Sequence, residues 1–231
     1  MRTSFWTKLL DIVAPRQCAI CGARLSANES VMCFRCHLHL PLTQLWKSPT
    51  DNPMARLFWG LLPIERAAAW FYYYPQSDSS ALIYDLKYHH QPEMGRELGQ
   101  MAARLFSADG FFNGIDALVP VPITRRRQWK RGYNQSMEIS RGISEVTGLP
   151  IYNKVIKRIH FSDSQTHKNP WERQQNVEGA FQLTNITAIE GKHLLIIDDI
   201  VTTGSTVTAC GRELCKAPDI KISILSLGLA K

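Results

Sequence analysis

The segment from Leu194 to Thr206 constrains the fold of this chain more than any other stretch. It reads LLIIDDIVTTGST: four apolar residues, two adjacent carboxylates, and a loop of hydroxyl side chains around one glycine. Four consecutive apolar residues predict a strand that is buried on both faces, as in a parallel sheet. Open α/β sheets bind ligands at the carboxyl ends of their strands, which is where Asp198 and Asp199 stand. The segment therefore predicts an α/β fold with a polar site at that edge.

The loop after the two acids has the composition of a phosphate-binding site. It carries four hydroxyls, and its backbone N–H groups stand at a predicted helix N-terminus (helix from Val207 to Cys215), where a phosphate monoester binds favourably. Carboxylates beside such a loop suit a sugar phosphate, because they accept hydrogen bonds from ribose hydroxyls or hold a magnesium ion. A turn with a capped helix needs only one such side chain. We therefore expect a sugar-phosphate site made of Asp198, Asp199, Thr202, Thr203, Gly204, Ser205 and Thr206.

Four of the six cysteines are spaced as two metal-binding knuckles, C-x2-C-x11-C-x2-C: Cys18, Cys21, Cys33 and Cys36. Four thiolates at this spacing can surround one tetrahedral zinc ion. The alternatives are two disulfides, which need an oxidising compartment, or four free thiols. We predict a small zinc module at residues 1–42, followed by a second domain at residues 43–231. The remaining pair, Cys210 and Cys215, is expected to be ordinary thiols.

The length of 231 residues allows one α/β domain with a small appendage. No apolar stretch approaches the ~20 residues of a membrane-spanning helix. Residues 1–13 are interrupted by Lys8 and Asp11 and lack a small-residue cleavage site, so we predict an amphipathic helix there rather than a secretory signal. The expected location of the protein is the cytoplasm.

Strands that alternate with helices predict a parallel sheet with right-handed crossovers. The segment 43–63 is rich in turn residues and is interpreted as a linker or irregular segment, although Trp46 and Phe58 indicate that it packs on something. The final apolar segment, 221–229, is expected to be the strand that closes the sheet.

The net charge of +7 favours anionic partners such as phosphates, nucleotides or nucleic acid. Much of it lies in residues 125–131, a basic loop with Trp129 that follows a double-proline turn and precedes a glycine expected at a helix start. Such a loop suits pyrophosphate, although a solvated basic surface remains open. A polar loop within 157–176 is expected to close over a ligand. Lys87, Arg131, Arg158 and Gln165 are the residues we associate with a pyrophosphate or flexible loop.

Several motifs together resemble the ComF/GntX family of ComFC-type proteins. They are the cysteine knuckles, LKY at 86–88, PVP at 120–122, RGYNQ at 131–135 and the acid pair with its Thr-rich loop. The last of these resembles the phosphoribosyl-pyrophosphate (PRPP) loop of type I phosphoribosyltransferases. The resemblance implies that fold, structural zinc on the four cysteines, ribose hydroxyls on Asp198 and Asp199, the 5′-phosphate on residues 202–206, and magnesium bound with PRPP.

Three functions remain open at this point. The first is a phosphoribosyltransferase with an unknown acceptor. The second is a PRPP or nucleotide sensor without turnover, or an adaptor of the DNA-uptake machinery. The third is an accessory protein that binds single-stranded DNA through its basic stretch. The intact acids and loop favour the first two, whereas the positive charge and Trp129 are compatible with the third.

Overall fold

The computed structural model of the chain describes residues 15–88, 90–159 and 179–231. The predicted N-terminal amphipathic helix, Gln165 and most of the predicted flexible loop lie outside these residues. The described strands are β1 (Arg66–Tyr73), β2 (Ala117–Pro120), β3 (Ile156–Arg158), β4 (Phe181–Leu183), β5 (His193–Val201) and β6 (Lys221–Ala230). The described α-helices are α1 (Phe34–His39), α2 (Pro53–Arg56), α3 (Asp78–Tyr88), α4 (Pro92–Ala108), α5 (Arg125–Arg131), α6 (Gln135–Thr147) and α7 (Ser205–Leu214).

Four strands form a parallel sheet in the order β1-β6-β5-β2, and β3 pairs with β4 in a separate antiparallel hairpin. Helix α6 packs on β2 and β5, α4 packs against α6, and α7 packs against β5 and the hairpin. The parallel α/β architecture is therefore confirmed. The expectation that residues 221–229 close the sheet is wrong, because β6 lies between β1 and β5. Its uninterrupted burial from Ile222 to Leu229 is what an inner strand of a parallel sheet requires.

The segment 41–49 covers the outer edge of β1 and is not a free linker. The amide of Thr43 donates to the carbonyl of Trp70 (3.0 Å), and the amide of Tyr72 donates to the carbonyl of Pro41 (2.8 Å). An open strand edge would present unpaired backbone groups to other chains, and this segment removes that exposure.

The cysteine-rich part of the chain packs on the same region. The ring of His37 lies edge-on to that of Trp70, with centroids 6.2 Å apart. Buried apolar side chains from residues 25–40 join the same hydrophobic core as the sheet. The predicted zinc module is thus fixed to the strand that the segment 41–49 covers.

Candidate functional site

The acid pair lies within β5 rather than after it. Strand β5 continues to Val201, past its predicted end at Ile197, because pairing with β6 continues alongside: Asp198 stands opposite Ser226 and Ile200 opposite Gly228. Strand β6 therefore runs alongside both acids, whereas the pairing of β2 with β5 ends at Ile197, and the positions of the acids are fixed more firmly than in a loop.

The carboxylate of Asp198 is held by groups from its own strand and from the start of α6. Its Oδ1 accepts hydrogen bonds from the amide of Asp199 (2.9 Å) and from the hydroxyl of Ser136 (3.2 Å). Burial, together with the negative charge of Asp199, raises the pKa of Asp198 to about 7. The charged form of this carboxyl is costly until a ligand compensates it.

Asp199 forms an ion pair with Lys87. The Lys87 Nζ lies 3.2 Å from Asp199 Oδ2, and the two side chains are only 20% and 11% exposed. The end of α3 that carries Lys87 is fixed by Tyr133, whose hydroxyl donates to the carbonyls of Leu86 (2.5 Å) and Gln91 (3.3 Å). Sequence analysis placed Lys87 among the ligand-binding residues, and the structure places it on one of the two acids.

The hydroxyl loop follows directly and separates into two faces. Thr202, Thr203 and Ser205 are exposed, whereas Gly204 is buried with a φ of +76°. With Asp198, residues 200–207 line a cavity of about 50 Å³. Helix α7 begins at Ser205, two residues earlier than predicted, and Gly204 gives it no side-chain cap. The first amides of α7 are therefore left for a ligand, and the helix dipole favours an anion there.

The basic stretch is a helix, α5, and not the predicted loop. The Thr124 hydroxyl caps it by accepting a hydrogen bond from the amide of Arg127 (3.2 Å), and Gly132 ends it with a φ of +78°. The glycine expected at a helix start therefore terminates one, since a left-handed residue is the usual stop. Trp129 on this helix is 87% exposed. The Arg131 guanidinium donates to the Gln135 side chain (2.9 Å) and lies over the Tyr88 ring at 6.0 Å.

Arg158, on β3, approaches the acid pair from another direction. Its guanidinium lies over the Phe181 ring at 5.2 Å. Burial and the charge of Arg127 lower its pKa, and the charge of Asp198 acts in the opposite sense. Arg158 is therefore under the electrostatic influence of both Arg127 and Asp198, and an anion bound beside it would offset the repulsion between the two guanidinium groups. Gln165 lies outside the described residues.

The four knuckle cysteines converge on one point. Their sulfurs all lie within 4.8 Å of one another, and the Sγ atoms of Cys21 and Cys33 are 3.8 Å apart. A tetrahedral zinc ion with Zn–S bonds of about 2.3 Å has sulfurs about 3.8 Å apart, so this donor set fits zinc. All six thiols are free in this structure. Burial raises the pKa of Cys18, but backbone N–H groups of the knuckles outweigh it and lower the pKa to about 7, whereas burial and the three other thiols raise the pKa of Cys36.

Ser136 and Tyr133 also support the site; Tyr133 lies in the RGYNQ motif, but nothing in the sequence indicated which residues the two side chains contact. Each acts on a residue more than 40 positions away, so no local spacing marks it.

Within the described ranges, the helices are too short or too polar to cross a membrane.

Comparison with known proteins agrees with this geometry. The sequence profile of the phosphoribosyl transferase domain matches residues 86–225. DNA utilization protein YhgH of Salmonella typhimurium is 28% identical over 202 residues, which are 86% of this chain and 84% of that protein. Competence protein F of Haemophilus influenzae is 30% identical over 155 residues, 65% of this chain and 68% of that protein. Among solved structures, glutamine PRPP amidotransferase from B. subtilis shares 20% identity at a TM-score of 0.38, over 58% of this chain and 26% of that longer one.

The sheet with its flanking helices and the profile match define a type I phosphoribosyltransferase fold, as predicted. The chain belongs to the phosphoribosyltransferase domain family, in the ComF-type branch whose members are named for competence and DNA utilization. The matched region begins at Leu86, so the cysteine cluster and the segment 43–63 precede it.

The cysteine cluster predicts a specific metal dependence. Changing Cys21→Ser removes one of four thiolates, and we expect the protein to lose its equimolar zinc on gel filtration with a mild chelator. The Tm should fall, because metal-binding free energy is folding free energy at such a site. Elemental analysis measures the zinc content. Cys215→Ser, outside the cluster, is the control and should keep one zinc per chain; equal zinc retention by both variants would contradict the assignment.

The environment of Asp198 predicts a pH-dependent stability. A folded-state pKa raised to about 7 means that the fold binds a proton which the unfolded chain has released, so stability falls as pH rises from about 4 to about 7. Asp198→Asn cannot ionise and keeps an oxygen for Ser136. We expect it to melt above the wild type at pH 8, by about 2–4 °C per kcal/mol gained, and to lose this advantage near pH 4.

Thermal melts across that pH range measure the effect. Asp51→Asn, which changes a carboxylate with 60% side-chain exposure, should track the wild type at every pH. An Asp198→Asn protein that is no more stable than the wild type at pH 8 would show that the acid pair carries no like-charge strain.

Proposed function

We propose that this protein binds PRPP with magnesium at the carboxyl end of β5 and transfers its phosphoribosyl group to an acceptor. The observation that carries the proposal is the continuity of Asp198, Asp199 and the exposed hydroxyl loop around one small cavity. Carboxylates next to an uncapped helix N-terminus combine acceptors for ribose hydroxyls with donors for a phosphate. The membership in the phosphoribosyltransferase domain family supports the same ligand.

Each part of the site has a role in this proposal. The hydroxyls of Thr202, Thr203 and Ser205, with the first amides of α7, hold the 5′-phosphate. The carboxylates of Asp198 and Asp199 orient the ribose through its hydroxyls. Magnesium supplies positive charge that the pyrophosphate of PRPP needs for binding and departure.

The proposed reaction displaces pyrophosphate from C1 of the ribose by a nucleophilic base or amine. The bond from C1 to the pyrophosphate oxygen breaks with its electron pair, and a bond from C1 to the acceptor forms. The transition state resembles an oxocarbenium ion, so two carboxylates near the ribose stabilise the developing positive charge. Positioning and charge account for most of such catalysis, because the chain needs no covalent intermediate.

In this proposal, Lys87 pairs with Asp199 and also supplies a positive charge for the pyrophosphate leaving group. In the ion pair, the Lys87 ammonium lies 3.2 Å from Asp199 Oδ2 and balances that carboxylate. Arg158, whose pKa responds to the charges of both Arg127 and Asp198, provides a further cation for the pyrophosphate. These cations belong to elements that precede the acid pair by 40 residues or more. A bound pyrophosphate would therefore contact elements that are far apart along the chain.

Calorimetric titration of PRPP and magnesium into the zinc-loaded protein tests the proposal. We expect saturable binding by the wild type, weaker binding of ribose 5-phosphate, and no binding by the Asp198→Asn/Asp199→Asn double variant. Asp219→Asn, which changes an exposed carboxylate, should bind as the wild type does. A folded, zinc-loaded wild type that binds no PRPP would overturn the proposal. Binding without turnover of any base or amine would leave a sensor in place of a transferase.

A second function, binding of single-stranded DNA, is favoured by the surface of α5. Trp129 is 87% exposed on a helix whose seven residues include five cations, and Arg131 lies over the exposed Tyr88 ring. Exposed aromatic rings among cations stack bases and neutralise phosphates without regard to sequence. The names of the relatives from Salmonella typhimurium and Haemophilus influenzae, which refer to DNA utilization and competence, support this alternative.

The two functions are separated by Trp129→Ala. We expect this variant to bind a single-stranded oligothymidylate about tenfold more weakly by fluorescence anisotropy, because one stacking platform is lost, while PRPP binding is unchanged. Affinity should fall steeply with salt in both proteins. Trp59→Ala, a 54% exposed tryptophan outside α5, is the control. Equal affinity of the Trp129 variant and the wild type would exclude α5 as the DNA surface.

A further inference from the structure

The back of the hydroxyl loop rests on a side chain from outside the family-matched region. A Cβ built on Gly204 would lie 2.9 Å from Cε1 and 3.2 Å from Cζ of Phe58. Phe58 is fully buried, and the segment that carries it precedes the matched region by more than 20 residues. The glycine is therefore required for two reasons, its positive φ and the closeness of the ring.

The loop presents opposite faces to solvent and to Phe58. Thr202, Thr203 and Ser205 are exposed, and Gly204 between them is buried against the ring. The hydroxyls of Thr203 and Ser205 form a hydrogen bond with each other (2.7 Å), which links two loop residues but does not tie the loop to another element. The loop conformation therefore depends on what supports it from behind.

A second contact lies two helical turns further along α7. A Cβ on Gly211 would clash with Cδ2 of Leu62, and the Arg212 Nε donates to the carbonyl of Leu61 (3.4 Å). Two glycines thus accept two apolar side chains of the same short segment. This segment runs along both the loop and the helix that the loop begins.

The segment is anchored on the central sheet and does not rest on the loop alone. Asn52 is 4% exposed, and its Oδ1 accepts from the amides of Met54 and Ala55 (2.9 Å each), which begins α2. Its Nδ2 donates to the carbonyl of Ala67 on β1 (2.8 Å). The support behind the loop is therefore fixed to a strand, and Phe58 cannot follow a movement of the loop without disturbing that anchor.

We propose that Phe58 is a positioning residue that holds residues 202–206 in the conformation needed to bind a phosphate monoester. In what it says of the ligand, the inference rests on the function proposed above. Phe58 touches no ligand; it acts through Gly204. The segment 52–62, assigned by sequence to a linker, is on this account the back wall of the ligand site. A loop that shifts by about 1 Å loses much of its binding energy, because donors and phosphate oxygens no longer align.

The test compares two buried phenylalanines. Phe58→Leu removes ring atoms behind the loop. Phe106→Leu is the matched control: Phe106 is also fully buried and stacks on Trp46 at 4.7 Å. Phe106 packs edge-on to Phe111, whose carbonyl accepts a hydrogen bond from Arg66 at the start of β1. Phe106 therefore lies near the amino-terminal ends of the strands, away from the acid pair and the hydroxyl loop. Both variants open a cavity of similar size in the core.

Two quantities are measured on the zinc-loaded proteins. Hydrogen exchange of the ligand-free proteins should be about tenfold faster over residues 202–208 in Phe58→Leu, and unchanged there in Phe106→Leu, because only the first variant removes the local support. The Kd for ribose 5-phosphate should rise about tenfold in Phe58→Leu only. Equal exchange in the two variants would overturn the proposal.

The design separates this inference from the proposed function. A wild type that binds no ribose 5-phosphate contradicts the proposed function alone, since the exchange rates still decide the role of Phe58. If Phe58→Leu does not fold, Gly204→Ala tests the same contact from the other side. The added methyl group should weaken ribose 5-phosphate binding less in a Phe58→Met background than in the wild-type background, and an equal effect in the two backgrounds would overturn the proposal.

Discussion

Burial of β5 on both faces is the constraint on which the rest of the site depends. The strand lies between β2 and β6, and its residues from His193 to Ile197 are buried. No charged side chain is tolerated there without a partner, so polar chemistry is confined to the part of the strand that extends past its pairing with β2, which ends at Ile197. Asp198 and Asp199 occupy that part. Burial of the strand on both faces therefore explains both the apolar run and the position of the acid pair after it.

The acid pair is held in a state that favours ligand binding over stability. Lys87 pairs with Asp199, whereas within residues 15–88, 90–159 and 179–231 Asp198 contacts a hydroxyl and an amide but no cation directly. Burial of one carboxylate without its own counter-charge costs stability, and a ligand that brings hydroxyls or a cation recovers it. Sites that bind charged ligands commonly retain carboxylates whose charge is destabilised in this way. The raised pKa of Asp198 reports that destabilisation.

The sequence predicted those parts of the structure that local patterns determine. The cysteine spacing and the strand–acid–loop–helix order need no knowledge of distant residues, and the fold class follows from them. The bounds of β5 and α7 were less accurate, because pairing with β6 extends the strand and Gly204 starts the helix early. Residues 125–131 were predicted as a basic loop that follows the double-proline turn, yet the cap at Thr124 and the glycine at 132 delimit a helix.

The contacts that the sequence could not predict join residues that are far apart along the chain. Ser136 reaches Asp198 across 62 positions, and Phe58 reaches Gly204 across many more. The position of β6 belongs to the same class, because strand order in space does not follow order along the chain. Zinc spacing and phosphate loops have local signatures, whereas the side chains that support them do not.

The central place of β6 has a consequence for how the chain acquires its fold during synthesis. Strand β1 pairs within the sheet only with β6, and about 150 residues separate them. A ribosome must therefore release β1, the acid pair and the hydroxyl loop before the strand that joins them exists. Until β6 emerges, β2 can pair with β5, and β1 can pair with the segment 41–49, but the two parts cannot join into one sheet. Such late closure through contacts of high sequence separation slows folding and leaves apolar strand faces open to chaperones.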